Sequence, residues 1–273
     1  MKRVYKAVLV VAGALLLWPA LVLAAPPPPQ GKLVYSDDFN DGGKKSGMEI
    51  NLKGDPDFSR GFHPPGVYQM QLAKPNDTRA ILLPNQSYGE VSAQVEIWDN
   101  SDVQTGDVSQ GLAFRAQDPT HYYAALIDAR KQQFAIRKLD GTGNWSDLLA
   151  WKPVEGIKQK AEHNTLRVDA SGNTFTAYIN DEMVGTVQDS TYSKGAVGLV
   201  VSNVDAQLPH FHFDTIRVYS TEPGPKLTTG TGTPLPVSGR SEPGTLPAVL
   251  ILALALTGLG LALRRRSAMA TGE

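Results

Sequence analysis

The fold is decided by residues 163–201, which read HNTLRVDASGNTFTAYINDEMVGTVQDSTYSKGAVGLVV. Short runs rich in apolar residues occupy positions 166–169, 175–179, 183–187 and 195–201. The first two are separated by Ala170-Ser171-Gly172-Asn173, and Asn180-Asp181 turns the chain into the third. Apolar residues that alternate with polar ones between such turns are typical of strands that bury one face. The stretch therefore predicts successive antiparallel strands.

The same pattern extends over the rest of residues 31–220. In positions 90–98, Val91, Ala93, Val95 and Ile97 point one way, and the intervening residues, most of them polar, point the other. Further strands are predicted at 111–115, 122–128, 133–139 and 211–219. About a dozen short strands, with no convincing helix and no internal repeat, predict an all-β domain. The expected architecture is an antiparallel two-sheet jelly-roll sandwich.

A series of short motifs carries a resemblance to a known superfamily. The motifs are DDFND (37–41), GVYQMQLAKPN (66–76), YGEVSAQVEI (88–97), GLAFRAQDPTHYYAALI (111–127), WSDLLAW (145–151), the stretch 163–201 and HFDTIRVYS (212–220). In this order they resemble the concanavalin A-like lectin/glucanase jelly roll, near its laminin-G-like and keto-disaccharide-hydrolase-like modules. The resemblance covers residues 32–220 and implies the fold more strongly than an activity, because these motifs are structural. The Glu-x-Asp-x-x-Glu strand of related glucanases is missing here.

The two ends of the chain look like targeting segments. Lys2, Arg3 and Lys6 precede an apolar stretch, and small residues at 22–24 fit a cleavage site, so residues 1–24 are predicted to be a secretory signal peptide. An uncleaved anchor helix is the alternative. Residues 25–30 form a proline-rich linker, 31–220 the sandwich, and 221–245 a stalk rich in Pro, Gly and Thr.

An uncharged apolar run at residues 246–263 has the length of a transmembrane helix. Three arginines follow at 264–266, and they favour a cytoplasmic tail at 264–273, with the domain outside the cell. We therefore expect a single-pass protein at the cell surface, with its C-terminus inside.

A sorting signal is a further expectation. It rests on Leu235, Pro236, Val237, Ser238 and Gly239, which resemble the LPxTG signal of sortases with Ser238 in place of Thr. Residues 241–245, SEPGT, resemble the PEP-CTERM signal read by exosortases, with Ser in place of the first Pro. Both resemblances imply that the helix is removed after transfer to a surface anchor, and a permanent membrane helix is the alternative.

Composition excludes several classes of function. The chain of 273 residues has a formal net charge of −1 and no cysteine. The charge argues against a nucleic-acid partner, and the lack of thiols excludes disulfides, thiol catalysis and thiolate metal sites. Outside the signal peptide and the tail the charge is about −6, which favours solubility.

The first candidate site is a sugar-binding surface, because aromatic rings stack on sugars while amides and charged groups bind hydroxyls. Trp98 shares a strand face with Gln94 and Glu96, and Tyr122 and Tyr123 lie on the hairpin that follows Arg115. Trp145 and Trp151 are expected on one face of their strand. Burial in the core is the alternative for these rings and for Trp98.

The second candidate site is a structural calcium ion. Asp214 shares its parity with Ile216 and Val218, so it is expected to point inward and to need a partner or a cation. The closing strand also resembles that of glucanases in which this Asp binds calcium, so the resemblance implies Ca²⁺ at Asp214. His210 and His212 alternate along the strand with Asp214 and are expected on the same face. A transition-metal site formed by these three residues is therefore the alternative.

Paired catalytic carboxylates are not expected. Glu90 and Glu96 lie on one strand face, but six residues separate them by about 20 Å, too far to flank one glycosidic bond. The favoured function is a surface-anchored, non-catalytic binding module for carbohydrate. A glycoside hydrolase or lyase and a purely structural or adhesive surface protein stay open as alternatives.

Overall fold

The computed structural model describes residues 25–42, 46–48, 50, 55–63 and 66–222. Within them the chain forms fourteen strands and no helix. The strands are β1 (Lys32–Asp37), β2 (Phe58–His63), β3 (Val67–Leu72), β4 (Asp77–Leu82), β5 (Val91–Asp99), β6 (Val108–Asp118), β7 (His121–Asp128), β8 (Gln133–Asp140), β9 (Trp145–Pro153), β10 (Asn164–Ser171), β11 (Thr174–Ile179), β12 (Glu182–Gln188), β13 (Ala196–Asn203) and β14 (His210–Ser220). The prediction of an all-β chain is confirmed for this part.

The strands form two antiparallel sheets. The eight-stranded sheet has the order β12-β11-β10-β5-β14-β3-β2, and β1 pairs with β14. The six-stranded sheet has the order β4-β13-β6-β7-β8-β9. This arrangement is consistent with the jelly-roll sandwich that the sequence predicted.

The main core lies between the two sheets. Side chains alternate along each strand, so every second one points into this core. On β5, Ala93, Val95 and Ile97 are fully buried in this core, as the period-two pattern predicted. The opposite sheet contributes residues such as Leu112 and Leu199. Burying this apolar surface is the main stabilising term for a chain without disulfides.

The turn at Asn180-Asp181 joins β11 to β12 as the sequence predicted. Both residues have positive φ angles, 50° and 69°. A type I′ hairpin turn requires that backbone conformation, and Asn and Asp tolerate it better than most residues.

The two outer faces of the sandwich differ in chemistry. The outer face of the eight-stranded sheet, called the polar face below, carries the residues that alternate with the core on β5, β10, β11 and β14. The outer face of the six-stranded sheet, called the apolar face, carries a second cluster that includes Ala113, Tyr122, Leu126 and Val200. The polar face is therefore the one suited to a hydrophilic ligand.

The expected targeting segments lie outside the described residues. These are the signal peptide at 1–24, most of the stalk, the motif at 235–239, the apolar run at 246–263 and the tail. In the part of the chain that is described, no helix could cross a membrane.

Candidate functional site

The polar face begins on β5, in the middle of the sheet. Gln94, Glu96 and Trp98 alternate with the core residues of this strand and point outward, as predicted. Strand β10 runs beside β5 in antiparallel register, with Arg167 opposite Gln94 and Thr165 opposite Glu96. These cross-strand pairs make one continuous polar strip.

At one end of the strip, Trp98 is covered by an imidazole. The His163 ring lies 3.9 Å from the Trp98 ring between centroids, and their planes differ by 8°. Glu96 fixes this arrangement, because its Oε1 lies 2.6 Å from His163 Nδ1. Trp98 retains 7 % exposure, while the side chains of His163 and Glu96 are 45 % and 36 % exposed. The surface at this end is therefore the imidazole and the carboxylate.

Three further histidines lie beside Trp98. The His212 ring meets the Trp98 ring edge-on at 5.1 Å, and His212 Nε2 lies 3.1 Å from His210 Nε2. The ring of His63, from β2, lies 6.0 Å from that of His212. Burial, followed by these neighbouring imidazoles, lowers the pKa of His212 to about 4, and burial lowers that of His210 as well. Both rings are neutral at pH 7.

At the other end of the strip, Tyr178 is covered by a guanidinium. Arg167 Cζ lies 3.9 Å above the Tyr178 ring, and Arg167 Nη2 donates to Asp169 Oδ2 at 3.3 Å. Ser92 Oγ donates to Asp169 Oδ1 at 2.6 Å. Burial raises the pKa of Asp169, although Ser92 and Arg167 oppose that shift.

A pocket of about 190 Å³ adjoins this end of the strip. Its floor is the outer side of β10 and β11, and the N-terminal linker forms its wall. The lining residues are Pro27, Pro28, Gln30, Asp169, Ser171, Thr174, Thr176 and Tyr178. Four residues, from His163 to Arg167, separate the two ends of the strip along the strand direction, which corresponds to about 13 Å.

Three predicted binding residues do not reach the polar face. Arg115, Tyr122 and Tyr123 lie on β6 and β7 of the other sheet and are almost fully buried. Adjacent residues on a strand point to opposite sides, so Tyr123 enters the core while Tyr122 lies on the apolar face. The expectation of one surface shared with Trp98 is corrected.

Local contacts explain why these side chains are buried. Arg115 occupies a β-bulge with φ 48°, and its Nη2 donates to the Gly89 carbonyl at 2.6 Å. The Tyr123 hydroxyl donates to Asp189 Oδ1 at 2.5 Å, and burial raises the pKa of Tyr123 to about 12. Both residues hold loops of the sandwich in place.

Asp214 does not point inward as predicted. A register shift between Asp214 and Arg217, with Thr215 at φ 37°, inserts an irregularity into β14. Phe213 before the shift and Ile216 after it both reach the core, so simple alternation fails. Asp214 is half-buried on the polar face, where it accepts a hydrogen bond from Thr215 Oγ1 at 2.9 Å.

The calcium ion that the resemblance implies at Asp214 stays a prediction. Among the described residues, no three His, Cys, Asp or Glu side chains are grouped as a metal site would require. This finding covers the triplet of His210, His212 and Asp214 as well. Calcium takes six to eight oxygen ligands, and backbone carbonyls can supply them as well as carboxylates, so this finding does not test the calcium ion.

The remaining sequence candidates are structural. Trp145 and Trp151 are partly buried against the cluster on the apolar face, and Trp145 meets Tyr122 edge-on at 5.8 Å between centroids. Glu90 Oε1 accepts from the Gly172 N–H at 2.8 Å, so this carboxylate serves a turn.

Sequence reasoning missed half of the polar strip. His163, Arg167, Asp169 and Tyr178 were not singled out, yet they cover or flank its aromatic rings. The signal was present on β10, where Arg167 and Asp169 alternate with buried Leu166 and Val168 in the same way as on β5. Polar alternation on two neighbouring strands would have indicated the shared face.

Comparison with known proteins defines the class by fold. No family model and no curated protein matches the chain. A carbohydrate-binding module, CBM66 of Bacillus subtilis, is 19 % identical over 71 % of this chain and all of its own length, with a TM-score of 0.46. The β-glucanase of Bacillus licheniformis is 13 % identical over 70 % of this chain and 99 % of its own, with a TM-score of 0.48.

A further similar structure comes from work on endo-acting O-glycanases of the human gut microbiota. It is 8 % identical over 70 % of this chain and all of its own length, with a TM-score of 0.50. At 8 % identity this similarity speaks to the fold alone and says nothing about a ligand. The chain is an antiparallel two-sheet β-sandwich similar to these solved structures.

Proposed function

We propose that this chain is a carbohydrate-binding module without catalytic activity, and that its ligand lies along the polar face. One observation carries the proposal: two aromatic rings on this face are each covered by a planar nitrogen-bearing group. His163 covers Trp98 and Arg167 covers Tyr178. Such groups are rigid, so the half-exposed imidazole of His163 can bind a sugar hydroxyl with little loss of conformational entropy. The buried Arg167 guanidinium instead holds Asp169, which lines the pocket.

The remaining side chains of the strip suit the same ligand. Glu96 supplies a carboxylate between the two covered rings, Gln94 supplies an amide beside Arg167, and Asp169 supplies a carboxylate just beyond it. The two covered rings lie about 13 Å apart along the strands, farther than a single sugar ring extends, so an oligosaccharide is favoured over a monosaccharide. The pocket beside Tyr178 would hold one end of that chain.

A second candidate function is glycoside hydrolysis, and one feature favours it. Asp214 on β14 lies directly opposite Glu96 on β5, and both side chains occupy the polar face. Directly opposed residues have Cβ atoms about 5 Å apart, which is compatible with the carboxyl spacing of a retaining glycosidase. We favour binding because Glu96 is already engaged by His163.

We also propose that the domain is held outside the cell. The support is in the sequence: the signal peptide at 1–24, the stalk, the LPVSG motif at 235–239 and the run at 246–263 followed by arginines. A sortase or exosortase is the proposed partner, with a retained membrane helix as the alternative. Fractionation of cells separates these cases, because transfer to a wall anchor shortens the chain and a retained helix does not.

The test of binding is a glycan array probed with the purified protein. Gln94→Ala and Thr176→Ala each remove a polar group from the strip without opening the core, and we expect each to weaken the strongest glycan signals at least threefold. Glu182→Ala, on the exposed edge strand β12, is the control and should leave them unchanged. The proposal is contradicted if wild-type protein binds no glycan. It is also contradicted if Glu182→Ala weakens binding while Gln94→Ala and Thr176→Ala do not.

The hydrolase alternative has its own measurement. Any glycan retained by the array is incubated with wild-type protein, Glu96→Gln and Asp214→Asn, and the release of reducing ends is followed. Binding without release supports the module. Release that both substitutions abolish would establish the hydrolase instead.

A further inference from the structure

The apolar face is built from small side chains in register. Across the six-stranded sheet, Ala80 pairs with Val200, Val200 with Gly111, and Gly111 with Leu126. The next row includes Ala113 opposite Ala124. These rows form a smooth apolar floor, and Trp145 and Trp151 stand along its edge on β9. An outer face of this kind is unusual for a sheet that meets water.

This face is shielded from solvent. Ala113, Ala124 and Val200 have no exposed surface, although the apolar residues packed against their cluster all belong to strands of the same sheet. No described strand of the other sheet can reach this side, because the eight-stranded sheet lies across the core. The cover is therefore not a strand of the eight-stranded sheet.

An unsatisfied polar group points into the same face. The Tyr122 side chain belongs to this cluster and is fully buried, and its hydroxyl has no hydrogen-bond partner within the part of the chain that the structure describes. A buried hydroxyl without a partner costs about 1–3 kcal/mol, so a covering group that accepts or donates a hydrogen bond is expected there.

We propose that the apolar face is a docking surface for the chain's own apolar run at residues 246–263. The run has no charged side chain and is composed almost entirely of Leu, Ala, Val, Ile and Gly, with Thr257 as its one polar side chain. Thr257 offers a hydroxyl that could pair with that of Tyr122. The proposal does not depend on carbohydrate binding.

The place where the chain leaves the sandwich supports the run at residues 246–263 as the segment that covers this face. Glu222 is fixed at the end of the sandwich, where its Oε1 accepts from the Gly89 and Glu90 N–H groups at 2.7 and 2.9 Å. The bridge between Tyr88 and Gly195 at that end adjoins Ala196, which packs against the apolar cluster. Between residues 222 and 246 lie 23 residues, and a coil of that length would span about 26 Å, similar to the width of six strands.

Docking and membrane insertion are alternative states of the same run. Docked on the domain, the run is kept from water and from other chains. Inserted in a bilayer, it leaves the face free. The domain would thus protect its own anchor before the anchor enters the membrane or is removed.

Cysteine cross-linking tests the proposal directly, because the chain has no native cysteine. Ala124→Cys on the apolar face is combined in the full chain with one of Leu254→Cys, Thr257→Cys or Leu259→Cys, in detergent-free buffer under mild oxidation. A disulfide needs Cβ atoms about 4 Å apart, so only a docked run should react. Thr176→Cys on the polar face, with the same partners, is the control. We expect at least fivefold more intramolecular product from Ala124→Cys than from Thr176→Cys.

Other occupants give different products. Dimers formed by Ala124→Cys alone would show that a second copy covers the face, and cross-links to cysteines placed at residues 8–18 would show that the leader does. Equal yields from both faces would also overturn the proposal. Ala80→Cys repeats the measurement should Ala124→Cys fail to fold. A chain ended at residue 245 is expected to gain binding of a hydrophobic dye, and no gain would count against docking.

Discussion

The imidazole of His163 lies flat on the indole of Trp98, although 65 residues separate them in sequence. Strand β10 begins directly after His163 and pairs with the strand that carries Trp98, so the register of two strands creates the stack. Glu96 holds the imidazole from the other side at 2.6 Å. The stack gives one end of the polar face a fixed shape.

Removal of this imidazole should uncover Trp98. We expect His163→Ala to lower the free energy of unfolding by about 1 kcal/mol, the usual contribution of an aromatic pair. It should also raise quenching of tryptophan fluorescence by acrylamide. Trp98→Phe in the same background is the control and should cancel that rise. Quenching that stays at the wild-type level would show that the indole is shielded by something else.

Acid should destabilise the sandwich through His212. Its folded pKa is about 4 because of burial, while an unfolded histidine titrates near 6.5. The unfolded chain therefore binds the proton first, and stability present above pH 6.5 is lost as the pH falls toward 4, by up to about 3 kcal/mol. Urea unfolding of wild type and His212→Gln between pH 4 and 7.5 measures the effect.

The His212→Gln variant should lose less stability on acidification than wild type. His121→Gln, on the other sheet, controls for the loss of an imidazole. The groups that face His212 are Trp98 on β5, His210 on its own strand, His63 on β2 and His163 before β10. Parallel pH curves for wild type and His212→Gln would contradict the assignment.

Tyr123 should act on stability and not on ligand binding. Tyr123→Phe removes the hydrogen bond to Asp189 and the one that the Tyr123 hydroxyl accepts from the Tyr192 N–H at 2.9 Å. Because both partners are then left near the core, we expect a loss of about 1–3 kcal/mol in the free energy of unfolding. Glycan binding at a temperature where the variant is folded should equal that of wild type. Reduced glycan binding by fully folded Tyr123→Phe would show that Tyr123 contributes to the binding site.

The two hydrogen bonds that the Glu222 carboxylate accepts should contribute measurably to the free energy of unfolding. Glu222→Ala leaves the N–H groups of Gly89 and Glu90 without their shared acceptor, so we expect a loss of about 1–3 kcal/mol in urea unfolding. Glu222→Gln keeps an acceptor oxygen and should recover most of that loss. Equal losses for the two variants would show that the charge, and not the hydrogen bonds, stabilises this end.

Alternation was enough to predict the strands and one row of the candidate site. The pattern on β5 gave the outward positions of Gln94, Glu96 and Trp98 correctly, and the turn at Asn180-Asp181 was also correct. These features depend on residues that are close in sequence. They follow from local geometry alone.

Two of the errors have one physical cause, which is irregular backbone. The placement of Asp214 failed because a residue at positive φ breaks the register of β14, and the placement of Arg115 failed at a bulge in β6. No spacing rule reveals a bulge before the neighbouring strand is known. The His163 stack was missed because its register depends on pairing across distant segments.

The central claim is that carbohydrate binds along the polar face, and a blocking experiment tests it most directly. Gln94→Trp places a bulky ring in the middle of the strip, and Ser202→Trp places the same ring on the outer side of the other sheet, where Ser202 lies on β13. Both variants are titrated with the strongest glycan from the array. The account predicts at least a tenfold loss of affinity for Gln94→Trp and less than a twofold change for Ser202→Trp. Unchanged affinity in folded Gln94→Trp, or a loss confined to Ser202→Trp, would contradict it.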